Sequence, residues 1–75
     1  MARARTKGLG ASLLAVRARR GYSLRAVAKM TGLSTEAVSA VERGGRYPSL
    51  DTLERLAAAL EFTAVIGPDR TEIFY

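Results

Sequence analysis

One piece of punctuation recurs along the chain and limits what it can become. Gly21 is followed by Ser23, Gly32 by Ser34, and the pair Gly44-Gly45 by Ser49. A glycine suits the left-handed residue that closes a helix, and a serine two or more positions later suits the cap that opens the next. The spacing predicts a first helix from about Leu9 to Arg20, a second from Ser23 to Gly32, a short third from Ser34 to Gly44, and a fourth opened by Ser49. Chains cut this finely bury apolar surface by packing short helices on one another.

The apolar positions agree with that reading. Leu9, Leu13 and Val16 share one side of the first helix, and Leu24, Val27 and Ala28 face inward from the second. Val38 and Val41 do so from the third. Leu50, Leu53, Leu56, Ala57 and Leu60 recur at the spacing of one helical face, the strongest periodic signal present. After Glu61 the character changes. FTAVI and TEIFY are β-branched and aromatic, and Gly67-Pro68-Asp69-Arg70 between them is good turn chemistry. The expected fold is mainly α: a compact four-helix domain over 9–61 with a C-terminal β-hairpin over 62–75, preceded by a flexible basic arm at 1–8.

At 75 residues the chain holds one small domain, near the lower limit for a single hydrophobic core. It has no Cys and no His, which removes disulfides, Cys/His zinc sites and triads built on histidine. No catalytic constellation, metal site or cofactor is expected. No apolar run approaches the roughly 20 residues that cross a bilayer, and MARARTKG lacks the apolar stretch of a secretory signal, so a cytoplasmic protein without a membrane partner is expected. The net charge of +5 is unevenly placed. Met1 to Tyr47 carries 10 Lys or Arg against 2 acidic residues, and Pro48 to Tyr75 carries 2 against 5. The positive part suits a polyanion such as nucleic acid, and a solubilising surface would look the same.

Ala28, Gly32 and Val38 form a constellation. Two helices meeting steeply through a short turn need a small side chain where they approach, a residue free to take positive φ, and an apolar residue locking the second helix down. That arrangement leaves Thr35, Glu36, Ser39, Ala40 and Arg43 projecting outward. With these motifs in register, RRGYS entering the second helix, Glu42-x-Gly44, and P-S-L-x-T-L ahead of A-x-A-L, the segment from Leu13 to Leu60 resembles the Cro and phage-repressor type (XRE) helix-turn-helix family.

The resemblance implies a lambda-repressor-like fold whose third helix enters the major groove of double-stranded DNA. Thr35, Glu36, Ser39 and Ala40 then become candidate base readers. Glu36 can accept from a cytosine amino group, and Thr35 and Ala40 can offer methyl groups to thymine. Glu36 also suits a first-turn carboxylate that favours the helix dipole, and both roles stay open. Arg43, Lys29, Arg46, Arg25 and the helix starts at Ser23 and Ser34 are candidate backbone contacts. Arg3, Arg5 and Lys7 of the arm would add sequence-independent affinity. Family members commonly carry Gln where this chain has Leu24, so the phosphate contact that Gln makes is not expected of this chain. Positions matching Arg17 and Glu42 usually form a structural ion pair, expected here to be largely buried.

A single recognition helix reads few base pairs, so a homodimer is expected, with Phe62, Val65, Ile66, Ile73, Phe74 and Tyr75 of the hairpin at its interface in some combination. An intramolecular sheet folded on the helices, leaving a monomer, is the alternative. The function that follows is a dimeric, sequence-specific transcriptional regulator, most simply a repressor bound to its operator. The alternative is an antitoxin that represses its own operon and also binds a toxin protein, through the C-terminal segment or an exposed residue such as Leu14.

Overall fold

Three serine hydroxyls perform the same task at three helix starts. Ser23 Oγ accepts from the Ala26 amide at 3.1 Å, Ser34 Oγ from Ala37 at 3.0 Å and Ser49 Oγ from Thr52 at 3.2 Å. Each satisfies an amide that the first helical turn leaves without a partner. The computed structural model describes residues 8–69 and 71–75. Its elements are α1 (Gly8–Arg20), α2 (Leu24–Thr31), α3 (Thr35–Glu42), α4 (Leu50–Leu60), β1 (Thr63–Ile66) and β2 (Thr71–Phe74). Helix α1 opens at Gly8, the last residue assigned to the basic arm from sequence. The rest of that arm, with Arg3, Arg5 and Lys7, lies outside the described residues, as does Arg70 of the turn.

At Gly32 the tight α2–α3 turn requires a left-handed residue. Its φ is 78° and its amide bonds the Ala28 carbonyl at 2.9 Å, so the chain can re-enter a helix at Ser34. Helix α4 ends differently. Glu61 takes φ 60° without being glycine, a conformation costing about 1–2 kcal/mol for an L-residue. Arg20 steadies this end by donating to the carbonyls of Leu60 at 2.9 Å and Glu61 at 2.8 Å, placing a cation where the helix dipole favours one.

The core gathers Leu9, Leu13 and Val16 from α1, Val27 from α2, Val38 and Val41 from α3, and Leu53, Leu56 and Leu60 from α4. Leu50 departs from the sequence expectation. It is 62% exposed, because it occupies the first turn of α4, at the end of the stripe.

Strands β1 and β2 pair antiparallel, Thr63 opposite Phe74, Ala64 opposite Ile73, Val65 opposite Glu72 and Ile66 opposite Thr71. Directly opposed residues share a face, so Ala64 and Ile73 point inward while Val65 and Phe74 point outward. Strand β2 packs along α1. Ile73 is 0% and Phe62 8% exposed, both within the same core as the helices. The hairpin is thus part of the domain that ends at 61 in the sequence reading, and Phe62 and Ile73 are corrected from interface candidates to core residues. Val65 and Ile66 are exposed; Phe74 and Tyr75 are half-buried. Two further contacts tie β2 down: the Tyr47 hydroxyl lies 2.8 Å from Thr71 Oγ1, and the Arg19 guanidinium sits 5.5 Å from the centre of the Tyr75 ring.

Candidate nucleic-acid interface

Val38 and Val41, 2% and 4% exposed, fasten α3 to the core by one side. Its other side carries Thr35, Glu36, Ser39, Ala40 and, at the C-cap, Arg43. Glu36 and Arg43 are exposed; Thr35, Ser39 and Ala40 are half-buried. Thr35 Oγ1 donates to Glu36 Oε1 at 3.2 Å, and an Arg43 N–H donates to Ser39 Oγ. A carboxylate therefore stands at the start of the helix and a guanidinium at its end, with small hydroxyl and methyl groups between. Such a surface can offer acceptor, donor and apolar contacts to base edges.

Two contacts set the position of α3 against α1. Arg17 clasps Glu42 through Nε to Oε2 at 2.7 Å and a second N–H to Oε1 at 3.0 Å, with side-chain exposures of 17% and 8%. A third Arg17 N–H reaches the Tyr22 carbonyl at 2.9 Å. The hydrogen bond that Arg17 donates to Glu42, with the charge of that carboxylate, raises the Arg17 pKa against the opposing effect of burial. The second contact is Gly10. A methyl there would overlap the backbone carbonyl oxygens of Val41 and Glu42, so α1 approaches α3 closely only because Gly10 has no side chain.

Arg25, Lys29 and Arg46 are exposed on the elements flanking α3. With the exposed Arg43 they are cations of the kind that phosphates require. The hydroxyls of Ser23 and Ser34 already accept from their helices, so each has its O–H left to offer an anion. Leu24 replaces the polar residue expected at the start of α2 and lines a shallow depression with Thr35, Glu36, Ser39 and Arg43.

Sequence reasoning overlooked Gly10, Arg20 and Tyr47. Gly10 carried a signal, a lone glycine inside a helical pattern, which often marks a close approach. Among the described residues no group of three or more His, Cys, Asp or Glu is placed to hold a metal, and no helix is long and apolar enough to cross a membrane.

Comparison with family models matches residues 13–65 to the helix-turn-helix family. Among solved structures, the crystal structure of the restriction-modification controller protein C.AhdI from Aeromonas hydrophila is similar, with 38% identity and a TM-score of 0.68. The similarity covers 69% of this chain and 79% of that one. No protein of curated function matches the sequence. The family match spans α2, the turn at Gly32, α3 and α4 in full, and by it the chain belongs to the XRE-type helix-turn-helix family of DNA-binding transcriptional regulators.

Proposed function

We propose that two copies of this chain bind a double-stranded DNA operator, each laying α3 in the major groove, and repress transcription from it. The observation that carries this reading is the outward face of α3, where Thr35, Glu36, Ser39, Ala40 and Arg43 stand clear of the two valines that anchor the helix. Arg25, Lys29, Arg43 and Arg46 hold the register through phosphates and carry no sequence information themselves. Val65 and Phe74 on the outward face of the hairpin, with Ile66 and Tyr75 at the strand ends, supply the contacts through which two copies associate. The likeness to C.AhdI, a restriction-modification controller, makes control of restriction-modification functions the setting to examine first.

The test is selection of genomic fragments by the purified protein at physiological salt, followed by sequencing. Paired half-sites about 34 Å apart, overlapping promoters, are expected. Glu36, Ser39 and Arg43 replaced together by Ala should abolish that selectivity; unchanged selectivity and strength would remove α3 from the reading. A second reading, an antitoxin with a protein partner, draws on Leu14, 44% exposed on α1. Toxicity of the neighbouring reading frame when expressed alone, relieved by this chain and not by its Leu14→Asp variant, would favour it.

A further inference from the structure

The depression beside α3 contains one side chain that cannot hydrogen-bond. It encloses about 300 Å³ between Leu24, Thr35, Glu36, Ser39 and Arg43. The other four are polar or charged and already associate in pairs, Thr35 with Glu36 and Arg43 with Ser39. Leu24 is the first residue of α2, fixed there by the Ser23 cap. It is half-buried, packed partly on the core and partly facing the depression.

Few features of DNA suit such a wall. A phosphate beside an isobutyl group would lose water without gaining a hydrogen bond. Base edges in the major groove offer nitrogen and oxygen donors and acceptors and one apolar group, the C5-methyl of thymine. 5-Methylcytosine presents the same group at the same ring position. Leu24 is therefore the apolar wall of an otherwise polar depression, and the C5-methyl is the apolar feature on the face being read.

We propose that Leu24 determines specificity by packing against a pyrimidine C5-methyl group, in the same half-site as the bases met by α3. This rests on α3 being the helix that reads the groove. Where a glutamine would fasten the start of α2 to the backbone, leucine turns that position toward sequence.

The test uses the full chain and a duplex it selects from a randomised library. Each thymine is replaced in turn by deoxyuridine, which removes only the methyl, and affinity is measured for wild type, Leu24→Ala and Leu24→Gln. Wild type should lose about fourfold at one thymine of each half-site, the value of one buried methyl group. Neither variant should distinguish uracil from thymine there, and Leu24→Gln keeps the side-chain volume if the alanine variant folds poorly. Cytosine and 5-methylcytosine placed at the same position separate the sources: a methyl-dependent gain in wild type alone means either base serves, and its absence beside a thymine effect means thymine is the ligand. Indifference of wild type to every uracil, or equal sensitivity in wild type and both variants, overturns the role of Leu24 while leaving α3 as the reader. Failure of the library to yield any preferred sequence would sink the reading of α3 and this proposal with it.

Discussion

Arg17 and Glu42, 25 positions apart, meet in a two-point clasp that joins α1 to the end of α3. The carboxylate is 8% exposed and stands near the C-terminus of its own helix, where partial negative charge already collects. Without the arginine that charge has no partner. Arg17→Ala is expected to cost about 3 kcal/mol, seen as a lower urea midpoint at unchanged slope. Arg17→Lys should recover only part of the loss, since a point charge cannot reproduce the fork. A wild-type midpoint for Arg17→Ala would show that the clasp contributes nothing.

The same pair fixes the sign of a pH dependence. Glu42 raises the Arg17 pKa above its ordinary value. A raised value means the arginine's contribution is complete below the unfolded pKa and is lost only as pH rises through the folded one. Both lie above the working range, so the stability difference between wild type and Arg17→Ala should stay flat from about pH 7 to about pH 10. A difference shrinking across that window would contradict the assigned charge state.

How much was legible in advance follows from the range of each interaction. Ser23, Ser34 and Ser49 cap amides three residues away, so local sequence suffices to place three helix starts. Ala28, Gly32 and Val38 likewise act within one turn motif. Arg20 was not legible as the clamp on α4, because its acceptors lie 40 and 41 positions further on and only the fold brings them together. Phe62 and Ile73 show the same limit from the other side. Their apolar character was plain, but whether α1 or a second copy would cover them depended on where β2 lands. On the candidate interface, the residues of α3 were readable from periodicity, whereas Leu24 as a wall of the same depression required knowing how α2 crosses α3.

Gly10 has no conformational peculiarity to explain it; the neighbouring backbone does. A Cβ at this position would lie 2.7 Å from the Glu42 carbonyl oxygen and closer still to that of Val41. Backbone atoms cannot swing aside as a side chain would. Gly10→Ala should therefore separate α1 from α3 and cost about 1–3 kcal/mol, despite alanine's better helix propensity. Thermal melting reads the loss, and a melting temperature at or above wild type would refute the close approach.

Glu61 predicts the opposite sign. It holds φ 60° at the end of α4 with no side-chain reason to do so among the contacts described, and it is exposed. Glycine relieves the steric cost of that conformation while raising the entropy of the unfolded chain. Arg20 keeps both its carbonyl acceptors, since these belong to the backbone. Glu61→Gly should raise stability by about 0.5–1 kcal/mol; a decrease would mean the carboxylate contributes more than the backbone strain costs.

Val65 separates folding from association. It is 51% exposed on β1, directed away from the core that Ile73 fills on the other strand. A lysine at such a position is a common way to keep a strand edge from pairing with another chain. Surface substitutions away from the core usually change stability by no more than about 0.5 kcal/mol, so Val65→Lys should leave the monomer folded. In the proposed dimer it should abolish the concentration dependence of melting that association imposes on wild type. Sedimentation at micromolar concentration should then show the variant as an 8.1 kDa species and wild type as something larger, with operator affinity falling in parallel. Wild type sedimenting at 8.1 kDa would end the case for a dimer built on this hairpin.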